Sequence, residues 1–309
     1  MYQEKLQNIQ DEVNHILRGK DYVVRKVLAA MLGGGHILME DIPGVGKTTL
    51  ATTFAKALSL DYRRVQFTPD VLPSDILGFS MYNSNSREFE FREGPIFCNL
   101  FLADEINRTS PKTQSALLEV MEERQVSVEG ETRKLEEPFI VIATQNPTGS
   151  SGTQMLPDSQ LDRFLICLSM GYPEHSAEVA MLKDEVWKQL ADVRQMISLE
   201  EFKALREQTE KVFVHDSIYE YIVSLVEATR KNGLFSMGAS PRGGIALLRM
   251  SRAMALIDGR DFVTAQDVQN VLLDVLGHRV KLSARARAEG KNMWACMQEL
   301  LHTVKSPRS

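Results

Sequence analysis

The stretch His36-Ile37-Leu38-Met39-Glu40-Asp41-Ile42-Pro43-Gly44-Val45-Gly46-Lys47-Thr48-Thr49 decides how this chain is read. A short apolar run, His36 to Met39, gives way to a glycine loop. From Lys47 to Leu60 the apolar residues Leu50, Phe54, Ala57 and Leu58 then fall on one side of a helix. Strand, loop and helix in that order set the loop at a helix N-terminus. Glycines let such a loop curl until successive backbone N–H groups converge on phosphate oxygens, and the helix adds the positive end of its dipole. Lys47 would then reach the β- and γ-phosphates, and the Thr48 hydroxyl would bind Mg²⁺. Pro43 has no N–H to offer, so the cradle runs from Gly44 through Val45, Gly46 and Lys47 to Thr48. Pro43 and Thr49 are also counted among the candidate nucleotide contacts. One position departs from the generic pattern: Asp41 stands where the first glycine is expected. Its carboxylate must point away from the phosphates for this reading to hold.

Outward from the loop, Tyr62 to Phe67, Asn99 to Asp104, Phe139 to Thr144 and Phe164 to Ser169 are further short apolar segments, and Pro111 to Glu123 is strongly helical. This alternation predicts an α/β fold with a largely parallel five-stranded sheet. Residues 1–30 read as helix interrupted at Gly19, with Leu6, Ile9, Val13, Ile16 and Leu17 at helical spacing. After Gly171-Tyr172-Pro173 the strands stop, and helix-patterned stretches follow near 175–191, 199–207, 215–231, 241–257 and 264–276. Thr264-Ala265-Gln266-Asp267 is a capping-box start with Asp in place of Glu. A boundary near 171 divides a nucleotide-binding core, 1–171, from an all-helical lid, 172–309. Inside the core, residues 68–97 form an insertion whose Arg87 to Gly94 alternates aromatic and charged residues. Gln125 to Thr132 turns at Glu129-Gly130 and returns through Leu135 as a hairpin.

Two strand ends carry candidate chemistry. Asn99-Leu100-Phe101-Leu102-Ala103 ends in Asp104 and Glu105. Asp104, nearer the strand, would hold Mg²⁺ through its water shell, while Glu105 would polarise the water that attacks the γ-phosphate. Ile140 to Gln145 ends in Asn146-Pro147, at the edge where parallel strands meet a ligand. Asn146 either orients the attacking water or starts an Asn-Pro turn. Ser240 suits an N-cap and Pro241 the first helical position, which leaves Arg242 in a helix's first turn. A cation there opposes the dipole by up to ~1 kcal/mol, so an anion is expected nearby.

Composition narrows the function classes. With 36 Lys+Arg against 41 Asp+Glu among 309 residues, the net charge is −5, and 43% of residues are hydrophobic. A broad electrostatic nucleic-acid binder needs the opposite surplus. Cys98, Cys167 and Cys296 are widely spaced, and the six histidines form no ligand motif, so neither a disulfide framework nor a structural metal site is expected. The charged start and the lack of an apolar run near ~20 residues argue against a signal peptide or a membrane span and fit a cytoplasmic protein.

Gly44-Val45-Gly46-Lys47-Thr48, Leu102-Ala103-Asp104-Glu105-Ile106-Asn107-Arg108, Ala143-Thr144-Gln145-Asn146-Pro147 and Leu161-Asp162-Arg163-Phe164 together resemble the MoxR-type AAA+ ATPases, in order, across residues 1 to 280 or so. The resemblance makes these segments Walker A, Walker B, sensor 1 and the arginine finger, with ATP and Mg²⁺ as cofactors. It treats Asp41 as a variant that some members share. Arg163 would reach a neighbouring subunit's γ-phosphate; without the resemblance it reads as a surface ion pair with Asp162. Arg242 would be sensor 2, touching the bound nucleotide's phosphates from the lid. The insertion and hairpin would be the helix-2 insert and pre-sensor-1 hairpin of one AAA+ clade. The resemblance further implies a homo-oligomeric ring, hexameric in form, that remodels or matures a protein client, including metal-cofactor insertion. It also implies partners containing a von Willebrand factor A domain. A DNA-acting motor and a nucleotide-switched scaffold with little turnover are the alternatives.

Overall fold

In the computed structural model, which describes residues 2–42, 44–146, 155–183 and 190–307, the chain begins with two helices, α1 (Tyr2–Ile16) and α2 (Asp21–Leu32). The core follows as β1 (Ile37–Glu40), α3 (Lys47–Ala57), β2 (Tyr62–Gln66), α4 (Pro73–Leu77), β3 (Gly78–Asn83), β4 (Glu88–Glu93) and β5 (Leu100–Asp104). It continues with α5 (Pro111–Glu123), β6 (Gln125–Val128), β7 (Glu131–Lys134), β8 (Ile140–Gln145), α6 (Asp158–Leu161) and β9 (Ile166–Leu168). Five of these strands form one sheet in the order β2-β5-β8-β1-β9, and every pairing in it is parallel.

Because side chains alternate across a strand, each strand feeds two cores. Ile37, Met39, Leu100, Leu102, Ile140 and Ile142 pack with Leu50 and Phe54 of α3 on one face. Leu38, Phe101, Ala103, Val141 and Ala143 pack with Leu117, Leu118 and Met121 of α5 on the other. Fully burying such a side chain contributes roughly 1.5–3 kcal/mol. Only β8 stands between β1 and β5, so the glycine loop and the Asp104-Glu105 pair open onto the same edge of the sheet. The insertion becomes α4 with the β3–β4 hairpin, and Gln125 to Lys134 forms the β6–β7 hairpin.

Beyond the core come α7 (His175–Leu182), α8 (Leu199–Lys211), α9 (Asp216–Lys231), β10 (Phe235–Met237), α10 (Pro241–Ile257) and α11 (Ala265–Leu276). The described chain closes with β11 (Lys281–Leu282), α12 (Ala284–Ala288) and α13 (Met293–Thr303). Residues 184–189 of the helix expected over 175–191 lie outside the described residues, as do Pro43 and Pro147. The capping box forms as read: Thr264 N–H donates to Asp267 Oδ2 at 2.8 Å, and Asp267 N–H donates to Thr264 Oγ1 at 3.4 Å. Two features differ from the expectation. The helical lid carries a short antiparallel β10–β11 ribbon, whose strands are too brief to show an alternation in sequence. Helices also continue past 276, where Asn292 caps α13 by accepting from Ala295 N–H at 2.8 Å.

The N-terminal helices pack on the lid as well as on the sheet. Val27, Leu28 and Met31 of α2 share one apolar cluster with Leu247, Met250 and Met254 of α10. Lys26, buried in α2, reaches Asp274 of α11 at 3.0 Å, and Tyr22 donates to the same carboxylate at 2.7 Å. No helix among the described residues is long and apolar enough to cross a membrane.

His36 is buried in the core: its Nδ1 accepts from Val141 N–H at 3.0 Å and its Nε2 donates to the Met121 carbonyl at 2.9 Å. Burial lowers its pKa from 6.5 to about 4, and lowers that of His278 to about 3. The unfolded chain therefore binds protons that the folded chain refuses, so stability falls as pH drops below 6.5. The expected loss by pH 5 is about 2 kcal/mol for each histidine. Urea midpoints between pH 7.5 and 5 at constant ionic strength should fall accordingly; a flat profile would contradict the burial of neutral imidazoles.

Candidate nucleotide site

The glycine loop leaves β1 and enters α3 with Gly44 at φ 87° and Gly46 at φ 99°. Side chains with a Cβ rarely adopt these left-handed conformations, which is the physical demand for glycine here. Val45 is buried in the same apolar cluster as Leu50 and Phe54 of α3, so its side chain is not offered to a ligand. Gly44, Gly46, Lys47, Thr48 and Thr49 line a cavity of about 320 Å³ together with Asp104, Glu105 and Asn146. Lys47 is 8% exposed, and its Nζ donates back to the carbonyls of Asp41 at 2.9 Å and Ile42 at 3.1 Å. Burial pushes its pKa down, against the opposing charges of Asp41, Asp104 and Glu105. Asp41 also lines this cavity, and its carboxylate is taken up by the segment that follows β9. It accepts from Ser169 Oγ at 2.8 Å, from Gly171 N–H at 3.2 Å and from Met170 N–H.

The two acids at the end of β5 are held by side chains from both neighbouring strands. Thr144 of β8, fully buried, donates to Asp104 Oδ1 at 2.7 Å and accepts from Glu105 N–H at 2.8 Å. Arg64 of β2 donates to Asp104 Oδ2 at 2.7 Å. Glu105 itself sits at φ 58°, a left-handed conformation that costs of order 1–3 kcal/mol in a residue other than glycine. Its Oε2 accepts from Gln66 Nε2 at 2.8 Å and from Arg108 Nη1 at 2.7 Å. Asn146 follows β8 at the cavity wall, and its carbonyl accepts from Asn107 Nδ2 at 3.2 Å. Arg64, Gln66 and Thr144 were not singled out from sequence. Gln66 and Arg64 meet the acids only through the parallel register that sets Gln66 opposite Asp104.

Arg163 and Arg242 are brought together, but not at the loop cavity. Arg163 Nη1 donates to the Leu118 carbonyl at 2.6 Å and lies 3.2 Å from Glu122. Arg242 Nη2 donates to the other oxygen of the same carboxylate. Both line a second cleft of about 530 Å³ with Arg124, Arg249 and Arg279. Glu122 is thus the anion expected near the first turn of α10, and Arg242 does not touch its own chain's phosphate loop cavity among the described residues. Asp162 does not pair with Arg163 as the surface reading supposed. It accepts from Arg279 Nε at 2.9 Å and from the cap residue Ser240 at 2.8 Å. The Glu122 contacts are half-exposed, and such pairs are worth at most about 1 kcal/mol, so a stronger anion can displace them.

Residues 36–166 match the family model for the ATPase family associated with various cellular activities (AAA), and residues 227–299 match the AAA lid domain. The chain is 40% identical over 306 residues to Chaperone MoxR1 of Mycobacterium tuberculosis, covering 96% of this chain and 81% of that protein. The chain belongs to the MoxR-type AAA+ ATPases. It is 46% identical over 298 residues to the uncharacterized protein YeaC of Bacillus subtilis, covering 96% of this chain and 93% of that one. The fold is similar to the crystal structure of a proposed ATPase from Cytophaga hutchinsonii, with a TM-score of 0.89 at 37% identity, covering 99% of this chain and 96% of the other. The AAA match runs from the residue before β1 to the start of β9, so this AAA+ ATPase carries its loop and both acids within the matched segment.

Thr144→Val keeps the side-chain volume but strips Asp104 and Glu105 N–H of a shared partner. The expected cost is about 1–3 kcal/mol in urea unfolding, with a lowered ATPase rate. Unchanged stability and rate would show that the acids do not depend on Thr144.

Proposed function

We propose that this MoxR-type ATPase binds ATP with Mg²⁺ at the loop and hydrolyses it within a homo-oligomeric ring, using the exchange to remodel a protein client. The observation that carries the reading is the convergence of Lys47, Thr48, Asp104 and Glu105 on one cavity at the carboxyl edge of the sheet. The backbone N–H groups from Gly44 to Thr49 would bind the phosphates. Lys47 would exchange the carbonyls of Asp41 and Ile42 for the β- and γ-phosphates. Thr48 and Asp104 are the residues fitted to hold Mg²⁺, which supplies charge neutralisation at the phosphates. Arg64 would then release Asp104, and Glu105, freed from Gln66 and Arg108, would take the proton of the attacking water while Asn146 orients it.

Arg163 and Arg242 share one carboxylate away from their own loop, which supports a role at a neighbouring subunit's nucleotide. Glu122 would give up both guanidiniums to the γ-phosphate, where an arginine is worth ~10³–10⁵ in rate in comparable systems. The chaperone role is supported by the name of the MoxR1 relative. The family resemblance supports a hexameric ring and a client or partner with a von Willebrand factor A domain, and the sparse, widely spaced cysteines support a cytoplasmic setting.

Lys47→Ala should abolish ATP binding, whereas Glu105→Gln should bind ATP normally and turn over ~10²–10⁴-fold more slowly. Undiminished hydrolysis by the Glu105 variant would remove it from the proposed role. Mixing Arg163→Ala subunits with Glu105→Gln subunits should restore turnover where an intact Glu105 faces an intact Arg163. No recovery in rings shown to be mixed would argue against an arginine acting between subunits.

A further inference from the structure

The chain passes from the core to the lid through Ser169-Met170-Gly171-Tyr172, and this junction is held from two sides. Asp41, 7% exposed, takes the donors: Ser169 Oγ at 2.8 Å, Gly171 N–H at 3.2 Å and Met170 N–H. Lys20, from the turn between α1 and α2, takes the acceptors: its Nζ donates to the carbonyls of Met170 at 2.6 Å and Tyr172 at 2.7 Å. The buried Met170 side chain completes the contact, its methyl lying 3.7 Å from where a Cβ on Gly46 would stand. Met170 is therefore tied to the phosphate loop through its N–H and its side chain at once.

Asp41 faces the other way with its backbone. Its carbonyl accepts from Lys47 Nζ at 2.9 Å, the ammonium that the ATP reading sends to the phosphates. One residue thus carries the resting acceptor of the loop lysine on its main chain and the N–H groups of the lid junction on its side chain. The link is short, with two side-chain torsions between the Cα and the carboxylate, so a shift of the Asp41 backbone is passed on with little slack. A glycine, which the generic loop carries at this position, could form none of the three side-chain bonds.

We infer that Asp41 is a positioning residue that transmits the state of the phosphate loop to the core–lid junction. This rests on the loop being the nucleotide site. Departure of Lys47 for a phosphate removes a charged donor from the Asp41 carbonyl. The change in loop backbone then reaches Met170 and Gly171 through the carboxylate and moves the segment on which the lid turns.

The test is hydrogen exchange of the Met170 and Gly171 amides and of the lid helices, with and without a non-hydrolysable ATP analogue and Mg²⁺, alongside analogue Kd and steady-state kinetics. In the unsubstituted protein the analogue should alter exchange at the junction and in the lid. Asp41→Gly, which restores the generic loop, should bind the analogue nearly as well and speed exchange at the junction. It should also lose the analogue-dependent lid response, with kcat lowered about tenfold and KM little changed. Asp41→Asn keeps one acceptor and should recover part of the response. Ser169→Ala, which leaves Asp41 in place, guards against a folding defect and should weaken the response at unchanged affinity. A full lid response and kcat in Asp41→Gly would overturn the inference, as would a loss of affinity that accounts for the whole loss of rate. Failure of the unsubstituted protein to bind the analogue would overturn the nucleotide reading as well, so the two failures are distinguishable.

Discussion

Backbone N–H groups can converge on a phosphate only if the loop carrying them is clamped at both ends, because a free glycine loop spends its binding energy on its own ordering. Here the clamp is β1, hydrogen-bonded on both sides within a wholly parallel sheet, and α3, whose Leu50 and Phe54 are fully buried against that sheet. Val45, buried in the apolar cluster that β1 and α3 share, anchors the loop to that core. The rest of the site is arranged around this fixed cradle. Asp104 and Glu105 arrive at the end of β5, two strands away, and Thr144 on the intervening β8 supports both.

The polar contacts around the cradle fall into two strengths, and the difference bears on function. Thr144–Asp104 and Arg279–Asp162 are largely buried, so losing a partner there leaves a polar group unsatisfied. Most contacts that the proposed reaction must break are more exposed: Arg64 on Asp104, Gln66 and Arg108 on Glu105, and Arg163 and Arg242 on Glu122; the exception is Lys47, which is buried on the carbonyls of Asp41 and Ile42. A site built in this way keeps its frame while its reacting groups change partners. The left-handed Glu105 is part of the frame, since the hydrogen bond from its N–H to Thr144 holds the backbone in a conformation it would otherwise avoid.

The lid is not a separate body resting on the core. Asp162, next to Arg163, is bonded to Arg279 and Ser240 of the lid, and Lys281 pairs with Asp158 on the same segment. The N-terminal helices add Lys26–Asp274 and a shared apolar cluster with α10. The loop carrying Arg163, the lid carrying Arg242 and the N-terminal pair are therefore mechanically connected. A boundary drawn near 171 marks where the strands of the main sheet end, while packing continues across it.

Local features were legible in the sequence because each depends on neighbours along the chain. The loop glycines, the strand ending in Asp104 and Glu105, the Ser240 and Thr264 caps and the span of α5 all follow from spacing and residue chemistry over a few positions. The ribbon of β10 and β11 and the helices after 276 were less so, being short or set apart from the main periodic pattern. Tertiary structure alone decided which distant residues share a site. It put Arg64 and Gln66 on the acids through the β2–β5 register, gathered Arg163 and Arg242 on Glu122 instead of on the loop, and turned the carboxylate of Asp41 onto the lid junction. The physical reason is that a side chain's partner is set by what folding brings within about 3 Å, a distance that spacing along the chain does not encode.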